Sequence, residues 1–216
     1  MKFFVDTADA DEVKKARALG LADGVTTNPT LIKKAGGEFK ETIVTIASLI
    51  EGPVIAEVVS LDAEGIVKEG REMAAWAPNV VIKIPVSGEG LKAVRQLESE
   101  GIRTTVTLVF SASQALLTAR AGASYICPFV GRIDDIATEG MDLIGDIVAM
   151  YRNYPNLKTE VIVASVRSPN HVVTSALLGA DGITVPLKVI EQLVKHPLTD
   201  IGIERFLADW EAVKKV

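Results

Sequence analysis

Lys83 lies in the run VVIKIPV, where Val80, Val81, Ile82 and Ile84 leave it no polar neighbour within the segment. An ammonium in such surroundings must be desolvated or carried out on its long stem, and both are costly. One reading is an edge or snorkelling lysine. The other is a Schiff-base nucleophile, whose chemistry needs an uncharged amine. At an unperturbed pKa of about 10.4, roughly one lysine in a few thousand is neutral at pH 7, a penalty of about 4–5 kcal/mol on attack that burial would reduce. Asp6 in FFVDT and Glu57 in VIAEVV are carboxylates in equally apolar runs, so each needs a role or a counter-charge. Paired with Lys83 they would be structural; as proton-transfer groups they would serve carbonyl chemistry. Their charge favours the ammonium while burial opposes it, and residue types alone leave that contest open.

The elements that must position these groups recur along the whole chain. Short runs rich in Val, Ile and Thr occupy Phe3–Asp6, Gly24–Thr27, Val54–Val59, Val80–Val86, Thr104–Val109, Tyr125–Val130, Glu160–Ala164 and Ile183–Val185. They are near-continuously apolar, as parallel strands buried on both faces are. Between them lie amphipathic stretches such as Ala63–Ala77, with Ile66, Val67, Met73 and Ala74 set against Lys68, Glu69, Arg71 and Glu72. The segments LGLADGVTTNP from Leu19 and LLGADGITVP from Leu177 share one grammar of helix end, glycine cap, Asp-Gly turn and strand, and RAGASYICP follows it loosely. Eight such alternations predict a single (β/α)8 TIM barrel over residues 1–216, with a doubly wound open sheet as the alternative.

The stretch 199–216 is surplus to eight units and predicts an extra C-terminal helix, with Thr199 or Asp200 as N-cap and Ile203, Phe206, Leu207, Trp210 and Val213 on one face. That face can cover the helix's own barrel or reach a neighbouring subunit, and the residues alone point to the former.

In α/β barrels the reactive groups sit at the C-terminal ends of the strands. Those ends carry Asp6, Thr27 and Asn28, Glu57, Lys83, Thr107, Arg132, and then Ser165 and Arg167. Independent surface loops have no reason to place such groups at matching positions. Arg132 and the Ser165-Val166-Arg167-Ser168 segment are candidate anion ligands, since barrel enzymes often bind phosphate after strands seven and eight and arginine meets it bidentately. An isolated surface arginine is usually just a salt-bridge partner. The position after strand seven is what distinguishes these.

Composition narrows the chemistry. The 216 residues are 48% hydrophobic and 24% charged, ample for a core and unlike a disordered chain. A net charge of −5 argues against nucleic acid and anionic membrane as partners. Two histidines and one cysteine leave almost nothing for a zinc site and nothing for an internal disulfide. With no secretory signal and no membrane-length apolar run, the expected location is cytoplasmic. Gly88-Glu89-Gly90-Leu91-Lys92-Ala93 matches a dinucleotide fingerprint formally, but the next strand ends without a ribose-binding acid. Cys127 reads as a core residue, Trp76 and Trp210 as packing on helical faces, and His171 and His196 as residues without a partner pattern.

Taken together, the stretches FVDTA, GVTTNPTLI, AEVV, VVIKIPVSGEGLKA, TVTLVFSASQA, CPFVGRID and ASVRSP, in order over almost the whole chain, resemble the transaldolase family. The resemblance is to its short members, which include fructose-6-phosphate aldolases. It implies a (β/α)8 barrel with no metal or other cofactor, in which Lys83 forms a Schiff base with the ketone carbon of a ketose phosphate. Asp6 would move the proton during carbon–carbon cleavage, and Glu57 would transfer protons through a water that Thr107 helps to position. Asn28, with Thr27 beside it, would hold a dihydroxyacetone unit, and Arg132, Ser165 and Arg167 the phosphate. The family's aldolases resemble one another in carrying glutamine at position 57 and tyrosine at 129. Glu57 and Phe129 therefore imply transfer from sedoheptulose 7-phosphate to glyceraldehyde 3-phosphate rather than free aldol cleavage, with a non-catalytic sugar-phosphate-binding barrel as the remaining alternative. The short members' ring-shaped pentamers and decamers imply a homo-oligomer, and with it the subunit-arm reading of the tail.

Overall fold

The computed structural model describes residues 1–214 and closes eight parallel strands into one barrel, β1 to β8 in chain order, each bonded to the next and β8 to β1. The elements run β1 Lys2–Asp6, α1 Ala10–Ala18, β2 Gly24–Thr26, α2 Pro29–Ala35, α3 Phe39–Leu49, β3 Val54–Glu57, α4 Ala63–Ala74, β4 Val80–Pro85, α5 Gly88–Ser99 and β5 Thr104–Val109. There follow α6 Ala112–Ala121, β6 Tyr125–Pro128, α7 Val130–Asp134, α8 Gly140–Arg152, β7 Glu160–Val163, α9 Pro169–Leu178, β8 Gly182–Val185, α10 Leu187–Leu193 and α11 Pro197–Val213. The closed sheet removes the open-sheet alternative. Several strands end one or two residues earlier than expected: β3 stops at Glu57, β4 at Pro85 and β6 at Pro128. Beyond β3 and β4 the chain leaves the sheet for the loops of the mouth, whereas beyond β6 Phe129 bridges to Ala164 and Val130 opens α7.

Continuous apolarity hides two different faces. Val5, Val25, Ala56, Ile82, Val106 and Ile126 pack outward under the helices, in the larger core. Phe4, Ile55, Val81, Tyr125, Cys127 and Ile162 form a separate buried cluster that fills the barrel. Side chains alternate along a strand, so two residues beyond Phe4, Ile55 and Val81 come Asp6, Glu57 and Lys83, pointing into the same interior one layer higher. The apolar floor is fitted closely. A Cβ on Gly24 would run into the Phe4 ring, so glycine there makes room for the largest side chain of the floor.

Side-chain caps set where the helices begin on the mouth side. Asn28, Asp62, Ser87, Ser111 and Ser168 each accept a backbone N–H in the first turn of the helix that follows. The glycine grammar also holds: Gly20, Gly122 and Gly179 take positive φ of 71°, 90° and 85° just past α1, α6 and α9. Gly88 to Ala93 form the capped start of α5, where Ser87 accepts from Gly90 and Glu89 pairs with Lys92. Its glycines serve close packing, since a Cβ on Gly90 would meet the Pro85 carbonyl at 2.5 Å.

The tail departs from its first reading in two ways. α11 begins at Pro197 with His196 as N-cap, not at Thr199 or Asp200, because the His196 ring nitrogen accepts from Leu198 and proline suits the first turn. It also covers no barrel: none of its residues is buried, and Phe206 is 74% and Trp210 56% exposed. Trp210 is thus not a packing residue of the isolated chain. Trp76 lies just past α4 and packs edge-on against Phe39 at 5.3 Å. Residues 215 and 216 of the expected helix lie outside the described residues. Among the described residues no helix is long and apolar enough to cross a membrane.

Candidate active site

Two adjoining cavities of about 160 and 380 Å³ open at the C-terminal ends of the strands and share Asn28, Lys83, Phe129 and Arg132. Asp6, Thr26, Cys127, Ser165 and Thr184 line the smaller cavity, and Glu57, Thr107 and Leu108 the larger. Eight of the ten site residues expected from sequence therefore face one space.

Parallel register explains the meeting of the charged groups. Glu57 on β3 lies directly across from Lys83 on β4, both pointing inward. The Lys83 side chain is only 6% exposed, and its ammonium sits 3.0 Å from Glu57 Oε2 and donates to the Thr27 carbonyl at 3.2 Å. Thr27 takes one of its three donors and Glu57 supplies the counter-charge, which leaves donor capacity for the cavities it lines. A buried lysine thus keeps a counter-charge and a polar cradle while its nitrogen stays at the cavity wall.

Asp6 lies across from Thr26 in the β1–β2 register and accepts from its hydroxyl at 2.8 Å. Because that proton goes to Asp6, the Thr26–Thr184 contact must be a donation from Thr184 to Thr26. Burial raises the Asp6 carboxyl above its ordinary value, and the Thr26 hydrogen bond and the Lys83 charge offset only part of that rise. This is the direction expected of a group that must both take and return a proton near neutrality. Burial likewise pushes the Cys127 thiol up to about 12, which leaves it an inert part of the wall, as its sequence context indicated.

Thr107 comes from a distorted stretch of β5. The β5–β6 register shifts between Val106 and Val109, and Leu108 takes a φ of 58°, unusual for leucine. Thr107 Oγ1 is buried without a hydrogen-bond partner from the described residues, beside Glu57 and Lys83 in the larger cavity. Asn28 is only half free. Its Oδ1 accepts from Leu31 to cap α2, so its amide NH₂ is what remains for a ligand.

Two expected residues stand apart. The Thr27 hydroxyl donates to the Ile55 carbonyl and lines neither cavity, so Thr27 meets the site only through its own carbonyl. Arg167 also lines neither cavity, because its guanidinium forms a two-pronged pair with Asp135. His171, read from sequence as unpartnered, lies 3.2 Å from Asp134 through Nε2 and accepts from the Arg167 amide at Nδ1. Thr26 and Thr184 escape notice in the sequence, since threonine in a strand reads as ordinary β-propensity.

The chain is similar to known proteins over nearly its whole length. The family model described as transaldolase/fructose-6-phosphate aldolase matches residues 3–216. A protein of Aquifex aeolicus named probable transaldolase is 63% identical over 99% of this chain and 98% of its own. Another so named, from Caldicellulosiruptor saccharolyticus, is 59% identical over 100% and 99%. A third, from Methanococcus maripaludis, is 59% identical over 98% of both chains. Among solved structures, a thiamine phosphate pyrophosphorylase from Pyrococcus furiosus superposes with a TM-score of 0.61 over 89% of this chain and 93% of that one, and at 17% identity it shares the fold alone. On the length and identity of these matches, the chain belongs to the transaldolase/fructose-6-phosphate aldolase family.

Proposed function

We propose that this chain is a transaldolase that moves a dihydroxyacetone unit between sugar phosphates through an imine on Lys83. The observation that carries the reading is the buried Lys83 nitrogen held at 3.0 Å from Glu57 on the wall of a cavity that Asp6 also lines. Neutral Lys83 attacks the donor ketone, and loss of water with proton transfer through Glu57 gives a protonated imine. Asp6 takes the C4 hydroxyl proton, the C3–C4 bond breaks, and its electron pair is delocalised through the iminium as an enamine. The aldose phosphate leaves. An incoming aldehyde phosphate takes the enamine carbon, its new hydroxyl receives the Asp6 proton, and water releases the ketose. Thr107, unpartnered beside Glu57, is suited to hold the water that adds and leaves. Arg132 and Ser165, on the cavity rim, and Arg167, one ion pair away, supply the phosphate site.

The choice of transfer over free cleavage rests on Glu57 and Phe129 and on the names of the relatives. Phe129 lines both cavities but has no hydroxyl to protonate the enamine and release it as free dihydroxyacetone. With sedoheptulose 7-phosphate as donor, erythrose 4-phosphate should appear only when glyceraldehyde 3-phosphate is added, together with an equal amount of fructose 6-phosphate. Free dihydroxyacetone at a comparable rate without acceptor assigns the chain to the aldolases instead. Phosphate binding with no turnover in either case assigns it to the non-catalytic barrels.

The active form is a homo-oligomer in which α11 packs on another copy. Its unburied Phe206, Leu207 and Trp210 form one apolar stripe, and a stripe of that size is unfavourable in water. Replacing Phe206 and Trp210 by glutamate should leave the circular dichroism unchanged and shift sedimentation to smaller species. An unchanged sedimentation coefficient refutes the arm.

A further inference from the structure

Arg132, Ser165 and Arg167 are the cationic and hydroxyl groups of the proposed phosphate site, yet only the first two reach the cavity. Arg167 is two residues past Ser165, and its stem lies across Gly131, where a Cβ would come within 2.7 Å of Nε. Its backbone is held from below: the amide donates to His171 Nδ1, and His171 Nε2 meets Asp134. Its guanidinium is held separately by Asp135, with Nη2 at 2.6 Å from Oδ2, and both side chains are about half exposed.

The backbone is therefore fixed while the charged head is free to exchange partners. Asp135 also lies close enough to Arg132 for that charge, after the Arg167 hydrogen bond and charge, to help hold its carboxyl below the usual range. One carboxylate thus holds Arg167 in the two-oxygen geometry that a phosphate would use, and it lies within reach of the Arg132 charge.

We propose that Asp135 is a resident counter-anion that a phosphorylated sugar must displace from Arg167, so that it sets the enzyme's selectivity between phosphorylated and unphosphorylated donors. The proposal rests on the phosphate reading of Arg132, Ser165 and Arg167 given above. Asp135 touches no substrate and acts through Arg167, as a specificity-determining residue. In the free protein it keeps the guanidinium from drawing anions indiscriminately, and on product release it recaptures the guanidinium from the phosphate. An exposed bidentate pair of this kind shifts a competing equilibrium by up to about fivefold.

Asp135→Asn keeps the size of the side chain and removes its charge. It should lower the inhibition constant of inorganic phosphate and the KM for fructose 6-phosphate by about fivefold, leave the KM for fructose unchanged, and lower kcat where phosphate release limits turnover. In an Arg167→Ala background the same substitution should change phosphate affinity less than twofold. Unchanged or weaker phosphate binding in Asp135→Asn, or an effect that persists without Arg167, overturns the proposal while the phosphate site stands. If Arg132→Ala and Arg167→Ala both leave the phosphate inhibition constant unchanged, the phosphate reading itself fails and takes the proposal with it.

Discussion

Lys83→Ala folds into the same barrel, loses at least about four orders of magnitude in transfer activity, and forms no adduct when borohydride is added with fructose 6-phosphate. The wild-type chain, treated alike, gains a three-carbon adduct that maps to Lys83 by mass. The size of the loss follows from chemistry, because the imine is the only electron sink in the proposed cycle. The survival of the fold follows from the surroundings. Truncation removes a desolvated ammonium, which is a relief, but leaves Glu57 without its cation, which costs about 3–5 kcal/mol where such a pair is fully buried. Glu57 is 14% exposed toward the cavity, so solvent there limits that cost. Lys83→Met, which keeps the stem, separates packing from charge and should match Lys83→Ala in activity. A Lys83→Ala enzyme with wild-type turnover, or an adduct that maps elsewhere, ends the imine assignment.

Much of this site can be read in the sequence because its groups violate the pattern around them. A lysine in VVIKIPV, an acid in FFVDT and another in VIAEVV are visible as misfits in strands whose other residues are apolar. The closed barrel turns those separate misfits into neighbours through register, as with Glu57 across from Lys83. What the pattern hides is which face each strand residue occupies, since both faces of a buried parallel strand are apolar. Thr26, which bonds Asp6, and Thr184, which meets Thr26, look like any other strand threonines for that reason. Contacts between the end of α7 and the start of α9 are hidden more deeply. Arg167 meets Asp135, and His171 meets Asp134, across a long sequence separation, and no local spacing predicts such partners. The tail shows the limit of amphipathicity itself: the stripe of α11 is evident in the sequence, but its burial depends on a surface outside the chain's own barrel.

Asp6→Asn slows transfer by two to four orders of magnitude, the usual range for removal of a positioned general acid–base group, yet leaves the imine intact. Borohydride trapping with fructose 6-phosphate distinguishes the two steps. The variant should retain a six-carbon phosphorylated adduct on Lys83, because the imine forms but its C3–C4 bond does not break. The wild type retains the three-carbon product of cleavage. In the wild type the acid limb of the kcat/KM profile should lie above the ordinary carboxylate value of 3.8, since burial favours the protonated form while cleavage needs the carboxylate. Thr26→Val removes the hydrogen bond that favours the carboxylate, so it should move that limb to still higher pH. Stability carries the opposite sign. Folded Asp6 holds its proton more tightly than unfolded Asp6, so its contribution is complete below the ordinary value and is lost as pH rises through the raised one. Asparagine never bears that charge. Asp6→Asn should therefore gain stability relative to wild type as pH climbs from 3.8 toward neutrality, measured as a growing difference in Tm. A variant that is slower and also less stable at neutral pH would mean that the carboxylate is stabilising where it sits, and that its burial is no reserve for proton transfer.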